Sequence, residues 1–211
     1  MTNAHYHRAG ATFLSRRGRE CRFCGVHPWQ AATVSTAALA SALRGALGED
    51  PGAGVGEIGL DRLRTKAVTP AQREVFAVQL AVAAEMHRPV VLHGAKCWGE
   101  VVKMVKPFAK TIPAFLFHGF SRSEGLMPEI VALNGFVSVG PAVLNDHAVN
   151  YRALVKRLPL DRLLVETDDD VADEQARADL LAAVFAKTAE LTGLTEAQLD
   201  ATAAVFTAAR I

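Results

Sequence analysis

Two rhythms of apolar residues alternate along the chain. Short, predominantly apolar runs occur at Val55–Leu60, Val90–His93, Phe115–His118, Phe136–Gly140 and Leu163–Glu166, with a further entering strand near Arg22–His27. Runs of four to six residues that do not alternate with polar ones are expected of strands covered by helices on both faces. Between them lie longer Ala- and Leu-rich segments. These predict helices at Thr36–Leu47, Pro70–Met86, Trp98–Phe108, Glu124–Leu133, Asn150–Leu158, Glu174–Thr192 and Glu196–Ala209. Thr69 and Thr195 stand at N-cap positions, and Pro70 suits a first helical turn. The strand–helix alternation predicts a parallel α/β sheet of the (β/α) barrel type. Six strands are counted where a closed barrel has eight, so the barrel is expected to be incomplete at its N-terminal end.

Composition narrows the class. The 211 residues, 50% hydrophobic and 21% charged, suffice for one large core, so a single domain over 1–211 is expected. With 23 basic and 22 acidic residues, no strong nonspecific attraction to nucleic acid follows, although a local basic rim is compatible with that balance. Few aromatic residues look exposed, so the sequence offers little sign of a stacking platform for single strands. No charged leader precedes an apolar stretch and no run approaches the roughly 18 apolar residues of a membrane span. Three cysteines make a disulfide framework improbable and fit a cytoplasmic protein. Cys21 and Cys24 form a CxxC, but on a strand their side chains point to opposite faces, and Cys97 beside Trp98 reads as packing.

The candidate chemistry sits where strands meet loops. Val90-Val91-Leu92-His93-Gly94 and Phe115-Leu116-Phe117-His118-Gly119 each deliver a histidine before a glycine. Glu57 follows Gly54-Val55-Gly56, and Asp168 follows Leu163-Leu164-Val165-Glu166-Thr167. The separations are 36 residues from Glu57 to His93, 25 from His93 to His118 and 50 from His118 to Asp168. They correspond to one, one and two β/α units, which would bring all four residues to the C-terminal strand ends on one rim. Imidazole and carboxylate together suit Zn²⁺ or Mn²⁺, whereas Mg²⁺ prefers oxygen ligands. Asp61, Arg62 and Arg64 follow Glu57. Arg64 is in reach of a phosphate, and a solvated charged face describes this cluster equally well.

These segments resemble a known family. Gly25-Val26-His27-Pro28-Trp29, Gly56-Glu57-Ile58-Gly59-Leu60-Asp61, the helix Gln72-Arg73-Glu74-Val75-Phe76-Ala77-Val78-Gln79-Leu80, Val91-Leu92-His93, Phe117-His118-Gly119-Phe120-Ser121 and Leu164-Val165-Glu166-Thr167-Asp168 are similar, in order, to the motifs of the TatD family. That resemblance implies a TIM-like barrel of the amidohydrolase type, one or two divalent metals (Zn, Mn or Mg) and phosphodiester hydrolysis, with DNA ends as the substrate of several members. It implies Glu57 as a metal-bridging carboxylate, His93 and His118 as ligands of one metal, and Asp168 as the ligand of the other that orients water. His27 resembles a residue facing the substrate phosphate, outside the metal ligands. Lys96 stands where relatives carry a basic residue, and Arg122 is a weaker phosphate candidate. Glu166 is open between a place on the ligand face and support of a neighbour.

Two departures follow from the same comparison. Family members begin with a strand ending in His-x-His, then a helix and a second strand. Here His5-Tyr6-His7 offers the pair, but only 17 residues separate His7 from Gly25. Either His5 and His7 are ligands with the next unit collapsed, or the first strand is missing. The latter would expose a sheet edge and favour a homo-oligomer. Asp169 and Asp170 add negative charge beside Asp168 that metals or basic residues would have to offset.

Overall fold

The computed structural model describes residues 22–121, 123–168 and 173–208. Six strands form one parallel sheet in sequential order: β1 (Phe23–Cys24), β2 (Gly54–Asp61), β3 (Val90–Ala95), β4 (Phe115–Phe117), β5 (Gly135–Val139) and β6 (Leu163–Val165). Each neighbouring pair is parallel. The connections carry α1 (Thr36–Glu49), α2 (Pro70–Glu85), α3 (Trp98–Val105), α4 (Met127–Ala132) and α5 (Val149–Val155). α6 (Glu174–Thr192) and α7 (Glu196–Ala208) follow β6. This is the alternating β/α, TIM-barrel-like arrangement expected, with the expected six strands among the described residues. Short 3₁₀ turns at Pro28–Thr33, Lys106–Phe108, Glu124–Leu126, Pro141–Leu144 and Leu160–Arg162 lie between the longer elements. Proline explains three of them. Pro28, Pro107 and Pro141 sit at their first or second positions, where the missing N–H costs nothing, and Pro107 also ends α3 early.

The strand side chains divide between two cores. Ile58, Leu60, Leu92, Phe117, Val137, Leu163 and Val165 pack outward against the helices. Phe23, Val91, Leu116, Phe136 and Leu164 turn inward and meet Ala203 and Phe206 of α7. The Phe206 ring lies 6.3 Å from Phe23 on β1 and 5.4 Å from Phe136 on β5, so α7 fills the inner face of the sheet.

The two-residue period of a strand then decides what stands above this inner core. Two positions beyond Val91, Leu116, Phe136 and Leu164 come His93, His118, Ser138 and Glu166. Apolar side chains close the inner face below, and polar ones line it at the C-terminal end. β2 reaches the same result through an irregularity. The register shifts between Val55 and Ile58, both of which face the helices, and the shift leaves Glu57, Gly59 and Asp61 on the inner face. Gly59 pairs with His93 at φ +147°, and a Cβ there would sit 2.0 Å from the His93 carbonyl oxygen, so only glycine lets β2 and β3 approach this closely.

Candidate metal centre

Glu57 is common to two groups of ligand atoms. One comprises His27, Glu57 and His93, the other Glu57, His118 and Asp168, and within each group the ligand atoms all lie within 4.8 Å of one another. The four residues expected as ligands therefore converge. Glu57 and His93 are inside their strands, not at the ends as the spacing implied, because β2 runs on to Asp61 and β3 to Ala95. His93 falls in the group with His27 and His118 in the group with Asp168, the two imidazole rings being 6.3 Å apart. His5, His7, Arg122, Asp169 and Asp170 lie outside the described residues.

Each candidate ligand histidine is held by a buried carboxylate. Nδ1 of His118 is 3.0 Å from Oε2 of Glu166, and its Nε2 faces Oε2 of Glu57 at 3.6 Å and Oδ1 of Asp168 at 3.4 Å. Glu166 also accepts from the Gly119 N–H at 2.9 Å and from the Ser138 hydroxyl. Glu166 is thus the support of His118, the second of the two roles left open. Nε2 of His93 is 3.1 Å from Oδ2 of Asp61, which also accepts the Trp29 indole N–H at 2.6 Å, while Oδ1 accepts the Arg64 N–H at 2.8 Å. Asp61 is consequently buried, and the expectation of a solvated charged face fails there. The cause is burial by three partners, two of which, Trp29 and His93, are each 32 residues away in sequence. Carboxylate-anchored imidazoles of this kind fix the ring's orientation and leave the other nitrogen for a metal.

Two buried glutamines on α2 set the frame. Oε1 of Gln79 accepts from the Val26 N–H at 2.6 Å and its Nε2 donates to the Val26 carbonyl at 3.1 Å. Gln72, two turns earlier on the same face, makes the equivalent pair with Asp61, accepting from its N–H and donating to its carbonyl, each at 3.2 Å. The residues they clamp are Asp61 itself and the neighbour of His27.

The electrostatics follow from burial and proximity. Burial alone would lower the His118 imidazole, but Glu166, Glu57 and Asp168 outweigh it and hold it up at about 10. Burial tends to raise Glu166, yet the facing His118 and its hydrogen bonds keep its carboxyl below the usual range. Burial, with His118 nearby, lowers His93. Burial and then His93 push His27 down to about 3, so it is neutral near pH 7. Its Nδ1 accepts the Trp29 N–H at 3.3 Å, which assigns the remaining hydrogen to Nε2.

A cleft of about 1190 Å³ opens beside these residues, lined by His93, His118 and Asp168 and by the exposed Arg62, Lys96 and Lys103. Lys96 is exposed there, as its candidate role requires. Arg64 is instead stacked over the Trp29 ring, its Cζ 4.5 Å from the centroid. Cys24 and Cys97 are packed against carbonyl oxygens, and burial raises both thiols to about 11. Among the described residues no helix is long and apolar enough to cross a membrane.

Comparisons with known proteins give a family and several relatives. The family described as TatD related DNase matches residues 4–209. The chain is 32% identical over 145 residues to a 3'-5' ssDNA/RNA exonuclease TatD from Klebsiella pneumoniae, covering 68% of this chain and 55% of that protein. It is 33% identical over 114 residues to an uncharacterized metal-dependent hydrolase, YabD, of Bacillus subtilis, covering 54% of this chain and 45% of that protein. The chain thus spans about half the length of these relatives. The crystal structure of the TatD homologue YjjV from Escherichia coli superposes with a TM-score of 0.74 over 95% of this chain and 80% of that one, at 24% identity.

Proposed function

We propose, from the fact that this chain belongs to the TatD related DNase family, that it is a metal-dependent phosphodiester hydrolase acting on the ends of single-stranded nucleic acid. The observation that carries the proposal is Glu57, the one carboxylate common to both ligand groups. The donor set of imidazoles and carboxylates fits divalent ions such as Zn²⁺ or Mn²⁺, with Mg²⁺ less suited. When bound, such ions supply an activated water at neutral pH and positive charge for the phosphate oxygens.

The residues of the chain then have distinct parts. Glu57 would bridge two ions, with His93 near one and His118 and Asp168 near the other. The Asp168 carboxylate is the group to orient the attacking water and take its proton. His27, neutral and carrying its hydrogen on Nε2, is suited to donate to a phosphate oxygen, which agrees with a substrate role better than with metal ligation. Lys96, exposed in the cleft, supplies a cation for the same phosphate. The 3'-5' exonuclease character of the Klebsiella relative supports a 3' end as the point of attack.

The test is metal content per chain after purification without chelator, paired with Mn²⁺-dependent nucleotide release from single-stranded DNA. Two metals and release abolished by Glu57→Ala are expected. Bound metals with hydrolysis of small esters or amides, and none of DNA, would replace this reading with a small-molecule hydrolase. Failure to bind any metal would overturn it.

A further inference from the structure

Trp29 stands out because it is fixed without being buried. Its surface is 53% exposed, against 5% for Trp98, the other tryptophan. Three contacts immobilise the ring: its N–H on Asp61, the edge of His27 at 4.5 Å between centroids, and the Arg64 guanidinium at 4.5 Å. An indole retained only for its N–H would gain more by burying its large apolar surface. This one gives up that gain beside the reaction centre, 6.2 Å from the His93 ring. Leu63, 60% exposed, lines the neighbouring cleft.

We infer that Trp29, together with the Arg64 guanidinium, is a stacking platform for the base of the terminal nucleotide of single-stranded nucleic acid, an inference that rests on the phosphodiester reading of the site. An aromatic ring and a guanidinium plane accept any base through its π face, with little dependence on sequence. Because both are already held in place, stacking costs little further ordering. A terminal nucleotide joins base and phosphate through one sugar, so it can reach the platform and the His27, Glu57 and Lys96 region at once. The exposed Arg62, Lys96 and Lys103 of the cleft accept the backbone that follows. The sequence offers little sign of such a platform, since few of its aromatic residues look exposed.

The test measures binding of a fluorescent single-stranded octamer with slowly cleaved phosphorothioate linkages, in Mn²⁺ buffer. A second octamer lacks only the base of its 3'-terminal nucleotide. Trp29→Ala is expected to weaken binding of the intact octamer about tenfold or more, the scale of one base stacked on an aromatic ring. Removing the base should weaken the wild-type chain by the same factor and leave Trp29→Ala unaffected. Trp29→Phe, which keeps a ring but loses the hydrogen bond to Asp61, should retain most of the affinity. An equal loss on both octamers in Trp29→Ala, or a Trp29→Phe chain as weak as Trp29→Ala, would assign Trp29 a supporting role through Asp61 and overturn the platform. If the wild-type chain holds metal but binds neither octamer, the nucleic-acid reading itself fails, and the platform with it.

Discussion

Gln79 holds the backbone of Val26 from both sides, accepting its N–H at 2.6 Å and donating to its carbonyl at 3.1 Å, across 53 residues of sequence. Both atoms of the amide are used, and Val26 precedes His27, so the placement of that imidazole depends on a helix side chain far away. A buried backbone group left without a partner costs about 1–3 kcal/mol, and Gln79→Leu leaves two. We expect that variant to lose about 2 kcal/mol or more, read from its urea unfolding midpoint. Gln79→Glu keeps an acceptor but loses the donor and should be intermediate or worse, because it adds a buried charge.

His118 ties metal binding to pH. Its folded value, about 10, lies above the ordinary imidazole value. A raised value means that without metal the imidazolium adds stability in full below about pH 6.5, and that this contribution fades as pH rises through about 10. A metal needs the neutral ring, so each ion bound at Nε2 expels a proton in that interval. Calorimetry in buffers of different ionisation enthalpy should register about one proton released per chain near pH 7.5 from this group. Glu166→Gln removes a main cause of the raised value and should reduce that release, while weakening metal binding about 10- to 100-fold.

Much of this arrangement is legible in the sequence because burial writes itself plainly there. Uninterrupted runs such as Phe115-Leu116-Phe117 mark strands covered on both sides, and the Thr69–Pro70 start of α2 follows from local capping, with the Thr69 hydroxyl accepting the Gln72 N–H. Glu57, His93, His118 and Asp168 are found for the same reason: each is a polar interruption at a strand that should have none. The supporting residues are harder to see, since their partners are remote. Asp61 belongs to a charged stretch that reads as solvated, yet Glu57, Gly59 and Asp61 share a strand face, and that period was the available signal. Gln72 and Gln79 are seven apart, on a helix face they share with Val75, Phe76 and Ala83, a sign that both amides are buried. Nothing local reveals the register shift after Val55, which depends on pairing with β3.

Gly59→Ala probes the approach of β2 to β3. The added methyl meets the His93 carbonyl at 2.0 Å in a backbone conformation, φ +147°, that L side chains rarely adopt. Backbone strain of this kind costs about 1–3 kcal/mol before any displacement of the neighbouring strand. We expect a loss of at least about 2 kcal/mol by chemical denaturation. Metal binding should weaken as well, because Glu57 and Asp61 flank Gly59 on the same face.

Asp61→Asn separates shape from charge at the second supporting carboxylate. Oδ2 accepts from Trp29 and contacts His93, and Oδ1 accepts the Arg64 N–H, so the native group serves as acceptor throughout. An asparagine of nearly the same size replaces one oxygen by an NH₂ donor. With the amide oxygen toward Trp29 and His93, its NH₂ confronts the Arg64 N–H. In the opposite orientation it confronts Trp29 and His93. Either way a buried donor is left facing another donor, and the negative charge that favours an Nε2–H on His93 is gone. We expect the fold to persist with stability reduced by about 1–3 kcal/mol, since one buried group loses its partner. Metal affinity should fall about 10- to 100-fold, as for other outer carboxylates. A titration with Mn²⁺ or Zn²⁺ should show weakening at one metal and little change at the other, because Asp61 contacts His93, and His118 belongs to the ligand group without His93. Equal weakening of both ions would show that Asp61 acts on the shared Glu57 instead of through His93.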